Sequence, residues 1–409
     1  MEHGVFRMAR APEIIRYKKM QYRRFGKTEF QIPVISCGGM RYQQSWKDAD
    51  PVTDENQANL EACIRRAVEL GVNHIETARG YGTSEYQLGK ILPTLPREQL
   101  LVQTKVEAYE SIEKFEAMFE QSMSLLKLDY VDIFSIHGIN TLQELEWALP
   151  CLDKAEEWKR QGRIRDIGFS THAPTHVIMK AIETDRFEHV NLHWYYIFQD
   201  HWRCIEAAAK RDMGVFIISP NDKGGLLYKP SDKLVELCAP LHPMVFNGLW
   251  CLSRPEVHTL SCGVARPSDF DIHMEMVGML DRAEELCAPV EARLRKAMAA
   301  AVGEEWMEKW QEGLPEPEAT PGGLNIPVML RLRNLALAFD MVEYAKMRYN
   351  LLGSGGSWFP GKRVKNPADI DAVQPALGAS PFADRIVPYL HEAHAMLVGE
   401  EKKRLIQDA

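Results

Sequence analysis

The chain has 409 residues, of which 45% are hydrophobic and 26% are charged, a composition that is ordinary for a soluble protein. Its length suffices for a large core, and we expect one large domain and a smaller one. The formal net charge is −8, from 57 acidic and 49 basic residues, so no overall positive field favours nucleic acid.

The N-terminal residues 1–19 are locally basic and lack the apolar core of a secretory signal. We interpret them as a basic N-terminal arm. No run of about 18 apolar residues occurs, so the sequence predicts no membrane-spanning helix. The eight cysteines form no C-x-x-C pair. We expect them to be buried free thiols of a cytoplasmic protein.

Short apolar runs alternate with amphipathic segments through the first two thirds of the chain. In one such segment Leu60, Cys63, Ile64 and Ala67 repeat with helical spacing. Short strands that alternate with helices predict a parallel sheet. The apolar runs cover residues 33–40, 72–78, 100–106, 131–138, 165–171, 189–195, 214–220 and 259–265.

Eight strand–helix units within about 250 residues match a closed (β/α)8 barrel, the TIM barrel. The alternative is an open doubly wound sheet, which would normally carry a G-x-G-x-x-G fingerprint after its first strand. The first run ends instead in Gly38-Gly39-Met40. We therefore predict an α/β fold with a (β/α)8 barrel over residues 20–285.

The pattern changes after about residue 285, where helical segments are no longer separated by strands. Residues 286–312 and 326–352 both have the character of helices, the second as one long helix. We predict a separate helical C-terminal domain over residues 286–409.

Three reactive side chains stand at the ends of successive predicted strands: Tyr81, Lys105 and His137. Glu76 lies five residues before Tyr81. In a barrel, chemistry takes place where the strands end. A phenol needs help to donate a proton near neutral pH, and a neighbouring ammonium lowers its pKa, while an imidazole can orient a carbonyl. These residues therefore predict a carbonyl-reducing site.

Six motifs identify a family in their order and spacing: ETARGYG, QTK, SIHG, GFSTH, ISPNDKGGLL and SCGVARPSDF. Over roughly residues 20–280 the chain resembles the aldo-keto reductase superfamily. The resemblance implies an NAD(P)H-dependent oxidoreductase that reduces the carbonyl of a small aldehyde, ketone or quinone by hydride transfer.

The resemblance assigns four catalytic roles. Tyr81 would protonate the carbonyl oxygen, Lys105 would lower the pKa of Tyr81, and His137 would orient the carbonyl. Glu76 would hold Lys105 in place. The family has Asp at position 76, and the added methylene crowds the site. We expect the backbone to accommodate Glu76.

The resemblance also assigns contacts to a nicotinamide cofactor. Ser170 and Thr171 match the segment that binds the carboxamide, and Asn191 replaces a family Gln. Trp194 stands where a Tyr usually stacks on the nicotinamide ring. The other assigned positions, which include a cation and small residues suited to pyrophosphate, are Gly39, Met40, Ser219, Pro220, Lys223, Gly224, Gly225, Leu226, Gly263 and Arg266.

Two further assignments concern the cofactor type and the substrate. Arg266 could attract the 2′-phosphate of NADPH, whereas Asp269 would repel it, so NADPH is expected and NADH is possible. Trp46, after the first strand, is a candidate wall of the substrate pocket.

The tail resembles a branch of the family that carries a C-terminal ferredoxin-like module with cysteine-ligated iron–sulfur clusters. The segment GGLNIPVMLRLRN matches that branch. We expect no cluster here, and no other metal, because none of the ligand positions holds a cysteine. These positions are Trp310, Gly313, Glu316, Thr320, Ile370, Val373, Ala376 and Ser380.

A second interpretation is a nicotinamide-nucleotide-binding regulatory protein with little or no turnover, which the unusual Glu76 keeps open. The expected partner is a small-molecule carbonyl substrate, with no nucleic acid and no membrane. The sequence carries no signal for an oligomeric state or for a particular substrate.

Overall fold

The structure, a computed structural model, describes residues 19–354 and 360–402. Apart from Lys19, the predicted basic arm lies outside the described residues. Within those ranges, no helix combines the length and the apolar character needed to cross a bilayer.

Eight parallel strands close into a barrel, as predicted, because the last of them pairs with both the seventh and the first. A short antiparallel hairpin, β1 (Tyr22–Arg24) and β2 (Gln31–Pro33), precedes them. The barrel strands are β3 (Ile35–Gly38), β4 (His74–Glu76), β5 (Leu101–Glu107), β6 (Val131–His137), β7 (Ile164–Ser170), β8 (His189–Leu192), β9 (Gly214–Ile217) and β10 (Thr259–Gly263).

Helices connect the strands and then continue beyond the barrel. Those up to β10 are α1 (Asp54–Glu69), α2 (Ser84–Ile91), α3 (Ile112–Leu126), α4 (Leu142–Arg160), α5 (Thr175–Glu183), α6 (Trp202–Ala209), α7 (Asp232–Cys238) and α8 (Pro243–Leu252). Those that follow are α9 (Phe270–Met279), α10 (Ala283–Val302), α11 (Glu304–Lys309), α12 (Ile326–Phe339), α13 (Val342–Leu351), α14 (Ala368–Asp371) and α15 (Ala383–Leu397).

Several barrel helices begin at side chains that satisfy the free N–H groups of their first turn. The hydroxyls of Thr53, Ser111 and Thr141 accept from backbone N–H groups in α1, α3 and α4. Thr141 also forms a capping box with Glu144. The periodic residues predicted for α1 are buried against the barrel. Local sequence signals therefore set these helices and their apolar faces.

The lower interior of the barrel is apolar, and a polar chain lies above it. His74 Nε2 lies 3.1 Å from Gln103 Oε1, and Gln103 Nε2 donates to Ser135 Oγ at 2.8 Å. Ser135 Oγ lies 2.8 Å from His189 Nε2, and His189 pairs with Asp166. Because β6 and β8 are not neighbours, this chain must cross the interior.

The upper interior layer holds the predicted site residues. Side chains of a strand alternate between its two faces, so the residue two positions onward lies on the same face. Two residues beyond most members of the polar chain, the side chain therefore lies at the end of the barrel where the strands finish. The side chains in this layer include Glu76 on β4, Lys105 on β5, His137 on β6, Ser170 on β7 and Asn191 on β8.

The prediction of one long helix over residues 326–352 is wrong, because two helices, α12 and α13, occupy this segment. Asp340, with φ of 54°, is left-handed and ends α12. Ser231 Oγ donates to the carbonyl of Phe339 at 2.6 Å, and Lys233 Nζ donates to that of Leu337 at 3.3 Å. The end of α12 is thus satisfied by side chains of the barrel region rather than by a further helical turn.

The C-terminal helices pack on one another and on the barrel. Helix α12 contacts α10, α13 and α15, while α10 contacts α7 and α8. Arg331 of α12 forms an ion pair of 2.6 Å with Asp200, after β8. All eight cysteines are buried and free, which confirms the expectation for the thiols.

Candidate active site

Glu76, Tyr81 and Lys105 meet at the upper end of the barrel. Lys105 Nζ donates to Glu76 Oε1 and, at 2.8 Å, to the carbonyl of Thr77. The Tyr81 hydroxyl lies 3.4 Å from Glu76 Oε1 and 3.4 Å from Lys105 Nζ. All three side chains are buried, with Tyr81 at 7% exposure. The structure therefore brings together the predicted phenol, ammonium and carboxylate.

His137 and Trp46 flank the phenol. The His137 ring lies 5.7 Å from the Tyr81 ring, and the Trp46 ring lies 6.2 Å from it, both edge to face. An ion pair between Asp48 and Arg79 holds the loop that carries Trp46 against the loop after β4. The half-buried His137 and Trp46 side chains thus border the space next to the Tyr81 hydroxyl.

The electrostatics differ from the expectation that Lys105 lowers the pKa of Tyr81. Burial raises the pKa of Tyr81 well above its usual range, and the Glu76 carboxylate raises it further. Burial also lowers the pKa of Lys105, against the opposing effect of Glu76. Burial and the Glu76 carboxylate thus outweigh the effect of the Lys105 ammonium on the pKa of Tyr81 in the free protein, and the role assigned to Lys105 stays a prediction.

The Asn191 amide is buried at the base of the site, with 0% exposure. Neither its oxygen nor its nitrogen has a hydrogen-bond partner among the described residues. An amide buried in this way is costly unless a ligand satisfies it. The neighbouring Ser170 hydroxyl accepts from the Gly138 N–H at 3.1 Å, and the Thr171 hydroxyl donates to the Ile139 carbonyl at 2.6 Å. The free oxygen and nitrogen of the Asn191 amide therefore suit hydrogen bonds to a carboxamide group. The Thr171 hydroxyl instead holds the loop after β6 through Ile139.

Trp194 does not lie at the barrel mouth, which corrects the assignment of its indole to the nicotinamide ring. It is 2% exposed and stacks on Trp250 of α8, with ring centroids 4.3 Å apart. Trp202 of α6 lies on the same cluster, at 5.0 Å. The physical reason is packing: Trp194 lies past the end of β8, and its indole packs among aromatic side chains of the surrounding helices.

Two histidines at the mouth were missed by the sequence analysis. His172 Nδ1 lies 2.5 Å from His193 Nε2, and Lys223 Nζ lies 3.3 Å from both atoms. Burial, followed by the charge of Lys223, holds the pKa of His193 well below its usual range. Each histidine follows a predicted cofactor residue, Ser170 or Asn191, by two positions. The strand alternation was therefore a usable signal for both.

The loop of residues 219–226 after β9, which we call the cofactor loop, reaches this mouth through Lys223. It is tightly folded, because a Cβ on Gly224 would lie 1.8 Å from the Pro220 carbonyl oxygen. Asn247 of α8 donates to that same oxygen at 3.0 Å. Ser219 and Leu226, at the two ends, have left-handed backbones.

The remaining predicted cofactor residues lie at or just after the ends of β3 and β10. Gly39 is buried by close packing, since a Cβ there would lie 2.6 Å from the Glu76 carbonyl oxygen, whereas Met40 is exposed. Gly263 lies beside the side chain of Arg41, a residue that the sequence analysis did not single out. Arg266 is 75% exposed and pairs with Asp269 at 3.0 Å.

The family model described as the aldo/keto reductase family matches residues 34–239, about half of the chain. The chain belongs to the aldo/keto reductase family. The match extends from the first barrel strand to α7 and contains the Glu76, Tyr81, Lys105 and His137 positions.

Curated relatives within the family are distant. The chain is 30% identical over 164 residues to L-galactose dehydrogenase of Arabidopsis thaliana. The aligned segment covers 37% of this chain and 49% of the relative. It is 28% identical over 177 residues to L-glyceraldehyde 3-phosphate reductase of Escherichia coli strain K12. That alignment covers 39% of this chain and 47% of the relative. The chain thus spans about half the length of these relatives.

Solved aldo-keto reductase structures share the fold. The holo form of an enzyme from Bacillus halodurans aligns with a TM-score of 0.55 and 18% identity, covering 65% of this chain and 96% of that one. An enzyme from Klebsiella pneumoniae in complex with NADPH aligns with a TM-score of 0.54 and 18% identity, covering 68% and 96%. At this identity the likeness establishes the barrel architecture alone.

Proposed function

We propose that this protein reduces the carbonyl group of a small aldehyde, ketone or quinone with a reduced nicotinamide cofactor. The observation that carries the proposal is the contact of Tyr81, Lys105 and Glu76 in the upper layer of an aldo/keto reductase barrel. A phenol, an ammonium and a carboxylate buried at the ends of neighbouring strands suit proton transfer to a carbonyl oxygen.

Each side chain has a distinct part in the proposed reaction. Tyr81 donates its proton to the substrate oxygen as negative charge develops there, and the nearby Lys105 ammonium stabilises that charge. His137, beside the phenol, orients the carbonyl. The high pKa of Tyr81 keeps the phenol protonated, which is the state that reduction requires.

The described residues would hold the cofactor through its carboxamide at one end and its phosphates at the other. A reduced nicotinamide held here would supply the hydride. The unpartnered Asn191 amide, with Ser170 beside it, would hold the carboxamide. Lys223 of the cofactor loop would bind the pyrophosphate. Trp46 would line the substrate side.

We propose NADPH as the preferred form, with Arg266 binding the 2′-phosphate. Asp269 already pairs with this arginine, so the phosphate has to compete with a carboxylate. Dissociation constants for NADPH and NADH measured on the wild type, Arg266→Ala and Asp269→Asn test this. Arg266→Ala should weaken NADPH binding and Asp269→Asn should strengthen it, while NADH changes little. If the ratio of the NADPH and NADH dissociation constants is unchanged in both variants, the assignment of Arg266 is contradicted.

The proposed function is tested by a titration of protein fluorescence with NADPH and a panel of aldehydes, ketones and quinones, on the wild type and Asn191→Leu. The substitution removes two unsatisfied polar atoms, so the melting temperature should hold or rise. NADPH binding should nevertheless weaken about tenfold or more. If the wild type neither binds nicotinamide nucleotide nor oxidises NADPH with any carbonyl, the proposal fails.

A regulatory protein that binds the nucleotide with little turnover is a second candidate. The contact of Glu76 with both Lys105 and Tyr81 favours it, because this carboxylate makes the phenol a weaker acid. NADPH binding without oxidation across the panel supports this candidate over the reductase.

For the C-terminal domain we propose a cluster-free relative of a ferredoxin-like module, with a boundary near residue 285. The chain has no cysteine after Cys287. Two of the positions expected to hold cluster ligands, Ile370 and Val373, are fully buried apolar side chains. Iron analysis of protein purified without oxygen tests this, and stoichiometric iron with sulfide contradicts it.

A further inference from the structure

Helix α13 contacts the barrel at the cofactor loop. The Tyr344 hydroxyl donates to the Lys223 carbonyl at 2.7 Å, and Arg348 donates to an Asp222 carboxylate oxygen at 2.5 Å. These two residues are four positions apart and therefore lie on one face of the helix. Both are nearly buried, at 4% and 8% exposure.

The residue before α13 packs on the same loop. A Cβ on Gly225 would lie 2.8 Å from Met341 Cε, and the φ of Gly225, 132°, is one that other residues rarely adopt. Contacts to three residues of this loop, Asp222, Lys223 and Gly225, thus come from the C-terminal region. The loop conformation is set from outside the barrel as well as by its own turns.

These contacts fix the backbone from which the Lys223 side chain extends. The carbonyl of Lys223 is fixed by Tyr344, while its Nζ extends to His172 and His193 at the mouth. Without the first contact the loop would have to be ordered when the phosphates bind, and ordering a backbone opposes binding.

Asp222 connects α13 to the opposite rim of the site. Its carboxylate is paired with Arg348 at 2.5 Å and lies 3.6 Å from Arg41, which follows β3. The Tyr228 hydroxyl also donates to it at 3.0 Å. Arg348 therefore holds the carboxylate at a point where it can face Arg41 across the cofactor face.

We propose that Tyr344 and Arg348 of the C-terminal domain are positioning residues for cofactor binding: they pre-order the cofactor loop and thereby the Lys223 ammonium. The inference rests on the proposed function, because it assigns this loop to the cofactor phosphates. Neither residue takes part in hydride or proton transfer. Their loss should act on cofactor affinity and leave the chemical step intact.

The test uses the full chain with Tyr344→Phe and Arg348→Met, singly and combined. The matched controls are Tyr349→Phe, which removes a hydroxyl of α13 that contacts His394, and Arg331→Met, which breaks the pair with Asp200. The measured quantities are the NADPH dissociation constant, the KM for NADPH, kcat at saturating NADPH, and hydrogen exchange of residues 219–226 without cofactor.

The combined variant should weaken NADPH binding by about 10- to 100-fold and raise the KM for NADPH in parallel. Its kcat should stay within about twofold, and residues 219–226 should exchange faster, while both controls remain like the wild type. Arg348→Lys should restore part of the affinity. Equal NADPH affinity and loop exchange in the wild type and combined variant overturn the inference and leave the proposed function standing. Absence of any nucleotide binding by the wild type overturns both.

Discussion

At the residue scale, Glu76 is the side chain that distinguishes this site. Its carboxylate, on a side chain one methylene longer than the aspartate expected from the family, contacts Lys105 and lies 3.4 Å from the Tyr81 hydroxyl. Lys105 therefore has a close counter-ion, and the phenol has a negative neighbour. The result is a phenol whose pKa lies above its ordinary value.

Shortening this side chain should alter the pH dependence of turnover. In Glu76→Asp the carboxylate withdraws from the phenol, so the pKa of Tyr81 should fall and the alkaline decline of kcat for reduction should begin at lower pH than in the wild type. Activity at pH 7 should stay within about tenfold. A kcat profile from pH 6 to pH 11 measures this.

Ser261→Ala is the control for that experiment. Ser261 Oγ lies 3.4 Å from the other Glu76 oxygen, so its loss removes a neutral contact and leaves every charge in place. In Ser261→Ala the alkaline decline of kcat should then begin at the same pH as in the wild type. An alkaline decline that begins at the same pH in Glu76→Asp as in the wild type, or at higher pH, contradicts the proposed effect of Glu76.

The contrast between Asn191 and Trp194 shows what a motif can and cannot predict. Both were assigned to the cofactor from one sequence segment. Strand alternation, however, directs Asn191 into the barrel, whereas Trp194 lies past the end of the strand and packs in an aromatic cluster with Trp250. The Glu76, Tyr81 and Lys105 positions were predictable because each motif lies at a strand end. The effect of Glu76 on the pKa of Tyr81 was not, because it depends on distances that a sequence does not contain.

At the element scale, the junction of α12 and α13 places the second helix on the cofactor loop. Apolar periodicity continues through residues 326–352, so the sequence predicted one helix. The break depends on a single left-handed residue, Asp340, and on tertiary contacts to the end of α12 from Ser231 and Lys233. Such contacts join residues about a hundred positions apart and leave no local signal.

Substitution of Asp340 tests the junction. Its side chain is exposed, so a change here acts mainly through the backbone. Asp340→Val should lower the free energy of unfolding by about 1–2 kcal/mol, because a β-branched residue is strained at φ near 54°. Asp340→Gly should be neutral or stabilising, as measured by urea denaturation. Equal stability of the two variants contradicts the left-handed junction.

At the scale of the whole molecule, the barrel was the most predictable feature. Eight apolar runs with helices between them specify a closed parallel barrel, and all eight strands form where they were expected. The polar chain inside the barrel was not foreseen, since its members, such as Gln103 and His189, pair across strands that are far apart in sequence.

Buried histidines should make the fold sensitive to acid. Burial lowers the pKa of His74 to about 3 and those of His201 and His273 to about 4. The unfolded chain therefore binds protons first, and stability is lost as pH falls from about 6.5 toward 4, by up to about 1.4 kcal/mol per pH unit for each histidine.

Melting curves at pH 7.5 and pH 5 measure this loss, which His273→Gln should reduce. A change at the exposed His391, which pairs with Asp371 at the surface, should not reduce it. A melting temperature that is the same at both pH values contradicts the prediction.

The central claim, that Tyr81 delivers the proton in a carbonyl reduction, is tested most directly by the single-turnover rate of NADPH oxidation in the wild type and Tyr81→Phe at saturating cofactor. We expect an unchanged NADPH dissociation constant and a rate lower by about 10²–10⁴-fold in the variant. A variant that binds NADPH and oxidises it as fast as the wild type would contradict the account.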